Sequence, residues 1–230
     1  MEKIKTTNLL DLDKTIAKEL FEYYDYPYQI LQEIKNYLLY LIEIIDKDEY
    51  EEAYSNVWVA RNAKIHNLAS IEGPAIIDSN TEVRPGAYIR GNVIIGSNSV
   101  IGNSTEIKNS ILFDNVQVPH YNYIGDSVLG YRAHMGAGSI LSNFKATKNT
   151  VNIKIGHHVI NTGLKKFGAI LGDNAEIGCG AVLNPGTIVG RNAIIYPLTS
   201  VRGYVPEGTI LKLDQKQEIV KKLAKVNYRR

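Results

Sequence analysis

Branched aliphatic side chains recur at every sixth position over most of this 230-residue chain. From Val59 the frame runs through Ile65, Ile71, Ile77, Val83, Ile89, Ile95, Ile101 and Ile107. It resumes at Leu129, Met135 and Leu141, and again over Leu171, Ile177, Leu183, Val189, Ile195 and Val201. A helix repeats about every 3.6 residues and a strand about every two, so neither alone carries this pattern. It requires a solenoid of short flat strands, each turning a corner after about six residues, with three edges closing a coil of about eighteen. Glycine often follows the aliphatic position, as at Gly96, Gly102, Gly130, Gly172, Gly178 and Gly190, and small residues such as Ala63, Thr105, Ala175 and Ala181 sit four places after it. The aliphatic fills a narrow interior, and Gly and Asn near the corners supply backbone angles that other residues avoid.

The fold class is therefore all-β, a parallel β-helix over residues 57–208, between a helical segment over 1–56 and a C-terminal helix over 209–230. In the first segment Ile30, Leu31, Ile34, Leu38, Leu41, Ile42 and Ile45 form one helical stripe, with Pro27 tolerated at its start. That stripe is expected to pack on the next domain or on a neighbouring subunit. In the tail, Ile219, Val220 and Leu223 form a shorter stripe. The frame breaks twice. Two residues are missing between Pro119 and Leu129, and thirty intervene between Leu141 and Leu171. Residues 150–155 and 159–161 alternate like a hairpin, so an insertion is expected near 145–166. Departures from a regular repeat are where function collects.

Composition narrows the function classes. A net charge of +2 is too weak to argue for nucleic acid or an anionic membrane surface. The longest apolar run, 37–45, contains Glu43 and is far short of a bilayer span. No secretory leader pattern is present, because Asp11 and Asp13 interrupt the first apolar stretch. The single cysteine, Cys179, excludes an intramolecular disulfide framework and suits a reducing compartment. A cytoplasmic location is expected.

Positions one coil apart lie above one another at roughly 4.8 Å. A count of eighteen stacks Arg84, Gly102 and His120 in one column, and Arg90 and Lys108 in an adjacent one. His120 is then expected roughly 10 Å from Arg84, across a gap left by glycine. An imidazole beside a recess lined by cations suits an anionic substrate that has a proton to lose.

Local motifs sharpen this reading. The stretch Val118-Pro-His-Tyr-Asn-Tyr-Ile-Gly-Asp126 is followed by Met135-Gly-Ala-Gly-Ser139 and by Ser142-Asn143-Phe144. With Arg84-Pro-Gly-Ala87 upstream and the segment from Lys165 to Asp173 downstream, it resembles the acetyltransferase half of a bifunctional family. That family combines glucosamine-1-phosphate acetyltransferase with N-acetylglucosamine-1-phosphate uridylyltransferase. The resemblance covers residues from about 75 to 205. It implies a left-handed hexapeptide-repeat β-helix, against the usual right-handed crossover preference, and a homotrimer with acyl-CoA bound between subunits.

The resemblance also implies roles. His120 is the general base for the amine of glucosamine 1-phosphate. Arg84, Lys108, Lys166 and Tyr123 hold the sugar phosphate. Asn143, Cys179 and Pro197 border acetyl-CoA, the co-substrate, and no metal is needed. His134 stands where the family has an asparagine touching the sugar, and Phe144 replaces a tyrosine. Galactosamine 1-phosphate is the alternative substrate. The family's uridylyltransferase signature does not occur here, so a separate sugar nucleotidyltransferase is an expected partner. Three other readings stay open: an acyltransferase for a nucleotide-linked amino sugar, a non-catalytic sugar-phosphate-binding solenoid, and a γ-type carbonic anhydrase with zinc held by three histidines. Metal analysis of the purified protein separates the last of these.

Overall fold

The computed structural model describes residues 1–214 together with 218 and 219. Its frame is a left-handed parallel β-helix with three flat faces. The first face carries the strands Val57–Ala60, Ala75–Ile77, Val93–Ile95, Ala169–Leu171, Thr187–Val189 and Tyr204–Val205. The second carries, among others, Glu82–Val83, Val100–Asn103, Gln117–His120, His134–Met135 and Glu176–Ile177. The third carries Ser70–Glu72, Tyr88–Arg90, Ile140–Leu141, Val182–Leu183 and Ser200–Val201. Two longer strands, Glu106–Leu112 and Tyr123–Leu129, bend from the third face onto the first without a break. The helix expected over 209–230 falls mostly outside the described residues. Its first part instead adds the strand Ile210–Leu211 to the second face.

The six-residue frame is the interior. Every frame aliphatic from Ile77 to Val201 lies in one buried column cluster, with Ile65 and Ile71 half-covered at the open end. Polar residues at interior corners are bonded to backbone, as buried polar groups must be. Thr81 Oγ1 donates to the Gly96 carbonyl at 2.8 Å, and Thr105 Oγ1 to the Val118 carbonyl at 3.0 Å. Asn80, Asn98, Asn174 and Asn192 take positive φ at one corner, which asparagine tolerates better than other residues with a side chain.

The missing residues are found one at a time. Ile107 to Leu112 and Ile124 to Leu129 are five-residue steps on the inward register, so one residue is dropped at each of two stacked corners. There Asn109 and Asp126 adopt φ of 45° and 49° and make the tighter bend.

The first face is apolar on both sides. Inward residues build the interior. Outward residues Trp58, Ile76, Ile94, Ile111, Val128, Ile170, Ile188 and Tyr204 form a second column in register. The N-terminal segment covers this column. It consists of short helical turns at Glu2–Ile4, Thr6–Leu9, Leu12–Lys14, Lys18–Glu22 and Pro27–Gln32 and a helix at Ile34–Ile44. Ile4, Leu9, Phe21, Ile30, Ile34 and Leu38 are buried against it. Each fully buried aliphatic contributes at most about 1.5–3 kcal/mol, so the interface is a second core. The helical stripe thus meets the chain's own solenoid.

Two further elements complete the structure. The strand Tyr50–Tyr54 runs back antiparallel on Val57–Ala60, with Glu51 and Glu52 exposed. The insertion forms a hairpin of Asn152–Ile155 on His158–Asn161, narrower than the 145–166 expected of the whole segment. Its neck is closed by a bridge between Phe144 and Lys166. Among the described residues, no helix is long and apolar enough to cross a membrane.

Candidate active site

The dropped residue between Ile107 and Leu112 changes which side chains meet. His120 pairs with Asn103, and Val118 with Ile101, so Pro119 and not His120 lies over Gly102. A Cβ on Gly102 would fall 1.6 Å from the Pro119 carbonyl oxygen, so that glycine admits a close backbone and leaves no gap. The column of Arg84, Gly102 and His120 expected from a count of eighteen is therefore corrected. Arg84 sits on the second face, where its guanidinium bonds Glu82 at 3.1 Å and holds that carboxyl below the usual range.

The adjacent column is present. Glu72, Arg90, Lys108 and Gly125 stack on the third face, since Ile107 pairs with Ile89 and Lys108 with Gly125. Here the glycine does matter: a Cβ on Gly125 would lie 2.6 Å from Asn143 Nδ2 and 2.7 Å from Tyr123 Oη. Arg90, Lys108 and Lys166 line a recess of about 270 Å³ with Asn92, Asn109 and Asp126. Lys108 Nζ stands 3.8 Å from the largely buried Asp126 carboxylate. Arg90 bonds Glu106 at 2.6 Å across its exposed flank. Tyr123 lies on the same face. Burial, with Glu106 and Asp126 nearby, pushes its phenol up from the ordinary value, so it stays protonated and can donate. Three cations converging on one hollow suit a phosphate.

A second group collects at the corner between the second and third faces. Backbone bonds run from Gly138 N–H to the His120 carbonyl, from Gly180 N–H to that of Ala137 and from Leu198 N–H to that of Cys179, at 3.0, 2.9 and 2.9 Å. His120, Ala137, Cys179 and Pro197 therefore stack on one exposed ridge. His120 precedes Tyr123 by three residues on the same coil, about 10 Å of extended chain, so the ridge borders the third face that carries the recess. His134 is apart from both. It is on the second face, with Nδ1 2.9 Å from Glu176 Oε2.

So the structure places Lys108 and Lys166 in the recess, links Asn143 to its Asp126 and Tyr123 to Asn143, and sets His120, Cys179 and Pro197 on the ridge, while Arg84 and His134 lie on another face. Sequence reasoning placed Arg90 beside Lys108 without giving it a role, and missed Asp126 as a member of the site. The signal for Arg90 was its place eighteen residues before Lys108, whereas the partners of Asp126 meet only through stacking. Among the described residues, no three His, Cys, Asp or Glu side chains are placed to hold a metal ion.

Comparisons with known proteins speak to the fold and family of the chain. Residues 71–164 match the family model described as the GMPPB C-terminal domain, and residues 168–203 match the bacterial transferase hexapeptide model of six repeats. The chain is 27% identical over 189 residues to a bifunctional sugar-1-phosphate nucleotidylyltransferase/acetyltransferase of Sulfurisphaera tokodaii, covering 74% of this chain and 47% of that protein. It is 37% identical over 158 residues to the bifunctional protein GlmU of Methanococcus aeolicus, covering 61% and 38%. It is 30% identical over 188 residues to YaiX of Escherichia coli, named as an uncharacterized acetyltransferase, covering 80% and 82%. The chain thus spans less than half the length of the two bifunctional relatives.

Proposed function

The chain belongs to the hexapeptide-repeat acetyltransferases that form one half of bifunctional sugar-1-phosphate enzymes, and from that premise we propose that it acetylates the amine of an amino-sugar 1-phosphate with acetyl-CoA. Glucosamine 1-phosphate is the first substrate and galactosamine 1-phosphate the alternative. The observation that carries this reading is the recess of Arg90, Lys108 and Lys166 on the face that the His120 ridge borders.

The chemistry follows from those positions. The recess holds the phosphate, with Tyr123 donating to the sugar phosphate. The amine, on the carbon next to the one bearing the phosphate, lies at the edge of the recess that faces His120. As the amine nitrogen attacks the thioester carbonyl, neutral His120 takes its proton. The tetrahedral oxyanion is met by a backbone N–H. The carbon–sulfur bond breaks, and the CoA thiolate takes the proton from His120 and leaves as the thiol, which restores the neutral imidazole. Transfer is direct, with no acyl-enzyme, and Cys179 lines the acyl-CoA ridge with Pro197. A thiol-release assay with a panel of amino-sugar phosphates tests this. Glucosamine 1-phosphate should release thiol faster than free glucosamine does, and release from none of the phosphorylated sugars would end the proposal.

Arg90 is proposed to hold the phosphate within the recess, and Arg84, on the same second face as His134, is proposed to reach the phosphate in the site of a neighbouring copy. Arg90→Ala should raise KM for the sugar phosphate about tenfold, a loss typical of one charge-assisted hydrogen bond, and leave KM for acetyl-CoA within about twofold. Arg84→Ala should likewise raise KM for the sugar phosphate more than KM for acetyl-CoA. A substitution that raised the two KM values equally would contradict the phosphate role of that arginine.

His134 can touch the sugar only if the second face of one copy meets the third face of the next. That contact is heterologous, and a closed ring of three satisfies it in every copy. Light scattering should give a trimer, and a monomer would remove His134 from the site. The protein is proposed to act in the cytoplasm, beside a separate sugar nucleotidyltransferase.

A further inference from the structure

We infer that Asp126 is a positioning residue: its carboxylate sets the amide of Asn143 so that an acceptor faces the incoming amine. The inference rests on the acetyl-transfer reading for its kinetic consequence but stands on geometry of its own. Asp126 is 7% exposed and sits at one of the two shortened corners. One carboxylate oxygen accepts from Asn109 Nδ2 at 2.9 Å, and the other from Asn143 Nδ2 in a short hydrogen bond. Lys108 lies on the same oxygen as Asn143. The Asp126 carbonyl accepts from the Gly168 N–H at 2.8 Å, which ties the neck of the insertion to the same corner.

An ionised carboxylate can only accept. The amide of Asn143 must therefore turn its NH2 inward to Asp126 and its oxygen outward. Tyr123 Oη donates to that oxygen at 3.5 Å, a second restraint of the same sense. Asn143 is itself 9% exposed, and the absence of a side chain at Gly125 is what lets the amide lie there. The outward oxygen suits an N–H of the substrate amine. A flipped amide would present a donor to a donor and leave the amine without its acceptor. Asn109 also donates to the Leu31 carbonyl at 3.0 Å, so the N-terminal segment braces this network.

Asp126→Asn is the informative change. The φ of 49° at this corner suits asparagine as well as aspartate, so the bend survives. The new amide keeps one acceptor oxygen where the carboxylate had two, so Asn109 and Asn143 compete for it and the hold on the Asn143 amide loosens. We expect kcat for glucosamine 1-phosphate to fall about tenfold or more. KM for the sugar phosphate should stay level or drop, because the recess loses its negative charge while Lys108 remains. In an Asn143→Ala background the same change should lower kcat less than about twofold, since its route is gone. A merely structural carboxylate would lower kcat in both backgrounds and raise KM, and that result overturns the inference. The side-chain amide protons of Asn143, identified by their loss in Asn143→Ala, give a readout independent of turnover. They should exchange slowly in the unmodified protein, and shift and exchange faster in Asp126→Asn. An unchanged resonance overturns the inference even if the enzyme acetylates sugars. A shifted one upholds it even if no amino-sugar phosphate is turned over and the function proposal fails.

Discussion

Replacing His120 with alanine is expected to lower kcat for acetyl transfer to glucosamine 1-phosphate by about 10²–10⁴-fold, the span of general-base catalysis by a positioned side chain. KM for the sugar phosphate should stay within about twofold, because the cations that hold the phosphate lie across the third face. The melting temperature should not move, since His120 is exposed and its backbone, not its ring, is tied into the ridge. Single-turnover measurement with saturating acetyl-CoA is the direct check. A variant that keeps its rate removes His120 as the base and leaves the recess as a binding site only.

The second large effect concerns the covered face. Phe113 is fully buried and meets Phe21 edge-on, with ring centroids 5.4 Å apart. It joins the solenoid to the N-terminal segment, and the following Asp114 N–H donates to the Lys14 carbonyl at 3.0 Å. Phe113→Ala removes the ring and leaves a cavity, at about 3–5 kcal/mol. A chain of this size should lose roughly 10 °C or more in melting temperature, and the segment before Val57 should become sensitive to limited proteolysis. An unchanged melt would show that the helices merely rest on the first face.

Much of this was legible in the sequence, for a physical reason. A narrow interior admits one aliphatic per edge, so the frame from Val59 to Val201 marks the inward residues directly. The covering of the first face was written as well, though less plainly. Runs such as Ala75-Ile76-Ile77 and Val93-Ile94-Ile95 place aliphatics on both sides of one strand, which is the mark of burial on both sides. The two short corners were harder to place. A residue lost at a corner leaves the aliphatic spacing nearly intact, and Leu112, Val118 and Ile124 keep the interior filled. The loss shifts every outward residue after it by one place, and this separated His120 from Arg84. The alignment of Arg90 with Lys108 survived because both precede the first loss. Asp126 was hidden for another reason. Its partners Asn109, Asn143 and Lys108 come together only through stacking, and a carboxylate beside a glycine reads in sequence as an ordinary turn.

The returning strand Tyr50–Tyr54 has a consequence for assembly. A parallel ladder whose first rung were bare would offer its unpaired amides to the last rung of another copy, and the molecules would add end upon end into fibres. An antiparallel rung reverses the direction of that template, and the two glutamates on it repel a newcomer. Addition along the axis is blocked on this face of the end, while sideways association, the kind that closes into finite rings, stays open.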